Sequence, residues 1–332
     1  MQRRSLIAAG AAALATTLPL ATLAQPAATA LTTWPSQPVK IIVPTGAGSS
    51  LDLIVRLLSQ PLAARWGQPV VVDNKPGAGG MLGLDIAAKA TDGHTIAIGF
   101  NGPLAYAPFL YAKTPYDPVR DLKAIVMTTS QANVLAVNAE RVPAKTVAEF
   151  VAWAKAQGGK MNYSSLGQGS SALLTRALFL HEAGLQAQHV PFNGPPRAAF
   201  AVAQGTADAT FMVAPALLPH VQSGKVRMLA VSASARPDSL RELPSLAEAG
   251  YPRVESLAWN GLVGPAALAD SAVARINADV NDLLAKDAPL RDAMAKSGLS
   301  IVGGSAAEFR RFIDADVARW GPVITRLGVK LN

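Results

Sequence analysis

The chain has 332 residues, half of them hydrophobic, and a formal charge of +8. That length suggests two domains rather than one, and the composition is globular rather than disordered. The absence of cysteine excludes thiol catalysis, cysteine-held zinc and disulfides, and the basic residues are scattered without interleaved aromatics, so the charge does not mark a nucleic-acid surface.

The first 24 residues have the layout of a secretory signal. A basic head (Arg3, Arg4) precedes an apolar run from Leu6 to Leu20, and Thr22-Leu23-Ala24 sits ahead of Gln25. The run is short for a membrane span of ~20 residues. The Arg3-Arg4 pair leaves both the general secretory and the twin-arginine routes open. Cleavage removes two arginines and no acid, which lowers the charge from +8 to +6. No later segment is long and apolar enough to span a bilayer.

An Ala/Thr-rich lead-in covers residues 25–33. Val39-Lys40-Ile41-Ile42-Val43 then predicts a buried strand, and Leu51, Ile54, Val55, Leu58 and Leu62 fall at helical spacing. Ser49 or Ser50 can cap that helix, with Asp52 in its first turn. Strands at Val70-Val71-Val72 and residues 95–98 flank a short helix ending near Ala90. Strand–helix alternation of this kind predicts a parallel sheet with right-handed crossovers. A second set of units starts near residue 134: strands at 134–137, 163–165, 190–192, 209–213 and 227–231, and helices at 147–157 and 172–183. Residues 257–263 resume strand character, and the tail from Asp270 is mostly amphipathic helix. The expectation is two α/β lobes, 35–133 together with 256–332, and 134–255.

Two strand-to-helix loops share one design. They are Pro44-Thr45-Gly46-Ala47-Gly48-Ser49-Ser50 and Ser165-Leu166-Gly167-Gln168-Gly169-Ser170-Ser171. Glycines admit close backbone approach, the helix-start N–H groups and dipole favour an anion, and serines add hydroxyl donors. In open α/β sheets such loops lie at the carboxyl ends of strands, where ligands bind. Neither loop carries the Gly-Lys-Ser/Thr ending of a P-loop, and neither completes a dinucleotide fingerprint. No Gly-x-Ser-x-Gly elbow exists, and His94, His181, His189 and His220 lack metal-ligand spacing. A serine-dependent hydrolase or transferase using Ser165, Ser170 or Ser171 has no base at a recognisable spacing. No metal or cofactor is expected.

Trp34-Pro35-Ser36-Gln37-Pro38 leading into Val39-Lys40-Ile41-Ile42-Val43-Pro44 resembles the opening of mature Bug-type proteins, the solute receptors of tripartite tricarboxylate transporters. The resemblance continues through Gly67-Gln68-Pro69-Val70-Val71-Val72-Asp73-Asn74-Lys75-Pro76-Gly77-Ala78-Gly79-Gly80, Pro115-Tyr116-Asp117-Pro118, the second loop, Val190-Pro191-Phe192-Asn193-Gly194 and Leu243-Pro244-Ser245-Leu246-Ala247-Glu248-Ala249-Gly250. It implies a two-lobed, type II-like periplasmic-binding fold of the Venus-flytrap kind, location in the periplasm, a carboxylate ligand held between the two loops, and large and small integral-membrane permease subunits as partners. Some relatives serve signalling systems instead. Pro44, Gly48 and Asp52 match the family pattern, as do Tyr163, Ser165, Gly167, Gly169, Ser170 and Ser171. Thr45, Ser49, Ser50 and Leu51 depart from it. The implied ligand contacts are Thr45, Gly46, Ala47, Gly48, Ser49, Ser50, Phe100, Asn101, Ser165, Gly167, Gly169, Ser170, Phe192 and Met212. Met212 stands where an aspartate is common, which points to a plain or aromatic carboxylate rather than an amino acid.

Overall fold

The computed structural model describes residues 34–165, 169–192, 194–233 and 240–331. The expected signal segment, Gly167 and residues 234–239 lie outside the described residues.

β1 (Val39–Val43) is β-branched and buried at every position but the exposed Lys40, so it reads as nearly continuous rather than alternating apolar sequence. α1 (Ser50–Trp66) follows, with Ser49 accepting from the Asp52 amide as N-cap and Gly67 closing the helix at φ 64. β2 (Val70–Asn74), α2 (Met81–Ala88) and β3 (Thr95–Phe100) complete a unit in which β1 pairs in parallel with both β2 and β3. A short π-helical turn and α3 (Ala107–Leu110) lead into β4 (Leu122–Asn138), a strand of 17 residues.

The second unit contains α4 (Val147–Ala156), β5 (Asn162–Ser165), α5 (Ser171–Ala183), β6 (Gln188–Pro191), α6 (Pro195–Ala203), β7 (Ala209–Val213), α7 (Ala214–Gln222) and β8 (Val226–Val231). β5 pairs in parallel with β6 and β7. The chain then returns through β9 (Leu257–Pro265), α8 (Asp270–Lys286), α9 (Ala288–Lys296), β10 (Ser300–Ile301) and α10 (Ala306–Leu327).

The sheets are mixed. β9 runs antiparallel to β3 and to β4, where its ladder extends from Leu122↔Pro265 to Ala132↔Leu257. From Asn133 onward β4 pairs instead with β7 and β8. One continuous strand therefore serves two groups of strands and changes partners between Ala132 and Asn133. α8 returns to cover α1, placing Ile276, Val280 and Leu283 in one core with Ile54, Leu58 and Leu62. Each such side chain contributes about 1.5–3 kcal/mol by burial. α10 lays Phe309, Ile313 and Trp320 against Trp259 and Tyr106. Among the described residues no helix is long and apolar enough to cross a membrane.

Candidate functional site

The first loop leaves the carboxyl end of β1 and is fixed from below by one acid. Asp52, 3% exposed, accepts from the Gly48 amide at 2.9 Å, Arg56 Nε at 2.9 Å and Asn74 Nδ2 at 3.0 Å. Burial would raise its pKa. The hydrogen bonds from Arg56, Gly48 and Asn74, together with the Arg56 charge, outweigh burial and hold the carboxyl below its usual value. Asn74 Nδ2 also donates to Thr45 O at 3.1 Å. Thr45 Oγ1 and Ser49 Oγ share a hydrogen bond of 2.7 Å. Gly48 sits at φ 80, and a Cβ on Gly46 or Gly48 would meet nothing within 4 Å. Gly46, Ala47 and Gly48 are exposed, so the crest of the loop faces open space. Ser50 and Leu51 open α1, where amides have no intrahelical partner.

The second loop leaves β5 for α5. Ser170 caps α5 by accepting from Leu173 N at 3.2 Å, which leaves its hydroxyl proton free to donate. Gly169 holds φ 77. A Cβ on Gly102 would stand 2.4 Å from Gly169 O, so the turn after β3 lies directly against this loop. Phe100 fills the space beside that turn: its ring would meet a Cβ on Gly80 or on Gly102 at 2.7 Å. Tyr111 joins them from the position just after α3. Its hydroxyl is sealed from solvent, has no hydrogen-bond partner, and lies 3.8 Å from where a Cβ on Gly169 would stand.

Several sequence-derived contacts take other roles. Asn101 is 2% exposed, and its amide donates to Tyr106 Oη at 3.0 Å and Leu257 O at 2.8 Å, so it is a strut between β3 and β9 rather than a cleft donor. Met212 is fully buried in an apolar cluster with Val134, Ala198, Val202 and Leu217, with Phe192 packed against it. The inference from Met212 to ligand class therefore loses its footing, because a residue in that cluster is explained by packing. Ser165 is fully buried and hydrogen-bonded to His189 Nε2 at 2.5 Å. The sequence reading saw His189 only as a histidine without metal-ligand spacing and missed both its meeting with Ser165 and the approach of Arg176, since each is brought to β5 from a separate element. Among the described residues no group of three or more His, Asp or Glu is placed to hold a metal.

A mixed α/β chain with loops at the carboxyl ends of its parallel strands places a ligand site at those ends. The chain belongs to the tripartite tricarboxylate transporter receptor family, which it matches over residues 54–329. It is 32% identical over 302 residues to BugT of Bordetella pertussis, covering 90% of this chain and 92% of that protein. A Rhodopseudomonas palustris protein solved with adipate, Rpa4515, superposes with a TM-score of 0.83 at 29% identity, covering 90% of this chain and all of that one. MatC of the same organism, solved with malate, gives 0.79 at 27% identity, covering 87% and 99%. The fold is therefore that of periplasmic solute-binding proteins of this family.

Proposed function

We propose that the protein is a periplasmic receptor that captures a small di- or tricarboxylate, or an aromatic acid, between its two loops and presents it to membrane permease subunits. The observation that carries the reading is the pair of strand-to-helix loops: one has an exposed crest pinned by Asp52, the other is capped by Ser170 and flanked by Gly102 and the unpartnered Tyr111 hydroxyl. Two relatives of this fold carry adipate and malate, both dicarboxylates, which supports the ligand class. The lobes of this reading are 35–133 with 256–332, and 134–255, joined where β4 exchanges partners at Ala132/Asn133. Closure about that joint excludes water and strengthens each hydrogen bond to the anion.

Ser165 and His189 form the nucleophile–base geometry that a hydrolase would need. A triad would place a carboxylate behind the imidazole, and here Arg176 is the charge that His189 feels. Desolvation, and after it that cation, lower the His189 pKa, which opposes the imidazolium a general base must become. The test is a thermal-shift screen of the purified protein against di-, tri- and aromatic carboxylates, each beside its amide. A ligand that binds the folded state raises Tm. Stabilisation by at least one acid and not by its amide is expected. A response to amides equal to that to acids would contradict the reading, and hydrolysis of an amide to its acid would favour the hydrolase.

A further inference from the structure

Arg176 lies on α5, five residues past the Ser171 start of the helix, and faces the strands that carry the second loop. Its guanidinium stacks over the Tyr163 ring at 5.2 Å. Tyr163 is paired in register with His189 across β5 and β6, and His189 is bonded to Ser165, the last residue of β5. Arg176 Nε is sealed from solvent and without a hydrogen-bond partner. No carboxylate among the described residues reaches the guanidinium. The other half-buried arginine with an orphaned Nε, Arg310, has Asp314 at 2.7 Å.

A half-buried cation with no anion among the described residues is costly unless its charge is balanced from elsewhere. Stacking on Tyr163 compensates for only part of that cost. Desolvation lowers the Arg176 pKa, in keeping with its partial burial. We infer that Arg176 is a specificity-determining positioning residue whose missing counter-ion is the carboxylate bound at the second loop. This rests on the receptor reading above and deepens it: the ligand must carry a full negative charge at the second-lobe end, and a neutral isostere fails there. Arg176, held over the Tyr163 ring, acts through the potential it sets at the second loop without needing to touch the ligand. It biases the Ser165 hydroxyl environment and raises the local potential at the start of α5, where the helix dipole already favours an anion.

The test compares wild type with Arg176→Met, which keeps an apolar stem of similar reach, and Arg176→Lys, which keeps the charge. Ligand-free melting is measured first, and calorimetric titration with adipate and malate as probes second. A residue held only for structure would melt lower on substitution. A charge waiting for its counter-ion predicts that ligand-free Arg176→Met melts within about 1 °C of wild type or above it. It also predicts that probe affinity falls by roughly tenfold or more, with Arg176→Lys recovering most of the loss. Equal probe affinity in wild type and Arg176→Met overturns the inference, as does a ligand-free loss of several degrees. A wild type that responds to neither probe nor any other acid in the screen overturns the receptor reading instead, and ligand-free melting alone then decides the charge argument.

Discussion

Replacing Asp52 with alanine removes one acceptor from three donors at once. Arg56 is half-exposed, with 54% of its side chain open to solvent, so water takes over its hydrogen bond and little is lost there. The Gly48 amide and the Asn74 side chain lose an ionised acceptor at 2.9 and 3.0 Å, each worth about 1–1.5 kcal/mol. The sum, about 2–3 kcal/mol, corresponds to a fall in Tm of roughly 3–5 °C for a chain of this size. Gly48, at φ 80, is at the same time released from the contact that fixes the crest of the first loop. Carboxylate affinity is then expected to fall by about tenfold or more, because donors that are no longer preorganised must be ordered on binding. Asp52→Asn keeps one carbonyl acceptor and should lie between alanine and wild type. The pH dependence has a definite sign. The Asp52 pKa is depressed in the folded state, so its stabilisation is present above the unfolded carboxylate value and disappears as pH falls through the folded one. The melting curves of wild type and Asp52→Asn should therefore converge only in acid. Thermal unfolding followed by circular dichroism checks this, and an Asp52→Ala protein that melts within ~1 °C of wild type at neutral pH would refute the role given to Asp52.

Asn133 is 1% exposed and donates to Ser171, Thr175 and Ser256 hydroxyls at 3.3, 3.3 and 3.2 Å. Its replacement by alanine should cost about 2 kcal/mol in urea unfolding, and an unchanged midpoint would argue against a structural junction there. Asp316 accepts from Trp259 Nε1 at 2.8 Å, and burial raises its pKa despite that bond. Its stabilising contribution is present below the unfolded carboxylate pKa and is lost as pH rises through the folded one. Asp316→Asn should thus gain on wild type from acid to neutral pH, and a constant offset in Tm across that range would show the reasoning to be wrong. Gly102→Ala would drive a methyl group into Gly169 O. Overpacking at this buried glycine should cost about 1–3 kcal/mol in the ligand-free protein and also weaken carboxylate binding by calorimetry, while undiminished binding would mean that this contact does not matter for capture.

Where an element is specified locally, the sequence reading located it well. Ser49 and Gly67 bracket α1, and the Ser170 cap and Gly184 bracket α5, because capping chemistry acts within one turn. β4 was recognised only at its second half. Its first half carries Thr128, Thr129, Ser130 and Gln131, which look too polar for a buried strand. Thr128 Oγ1 donates to Asn260 O at 3.0 Å and Thr129 Oγ1 accepts from Asn260 Nδ2 at 3.1 Å, bonds that exist only once β9 returns from more than 120 residues away. α6 and α7 were passed over because prolines crowd their starts, yet Pro195 and Pro215 stand in the first turn, where no N–H is needed.

The candidate site divides along the same line. Its glycine–serine loops are local patterns and were legible. Arg176, His189 and Tyr111 gather at the second loop from three elements, and nothing in the spacing of their residues announces the meeting. Asn101 was misread for the converse reason: an asparagine beside a loop suggests a ligand donor, but its amide is committed to Leu257, 156 residues further on.

The most direct test of the receptor account is a crystal structure of the protein with the best acid from the screen. The account predicts a carboxylate within hydrogen-bond reach of Ser170 and the opening amides of α5, with the first-loop crest closed over it from the α1 side. An acid seated elsewhere would contradict it. One such place is the open groove of about 620 Å³ that Asn281, Leu284, Arg291, Leu299, Ile301 and Val302 line between α8, α9 and β10.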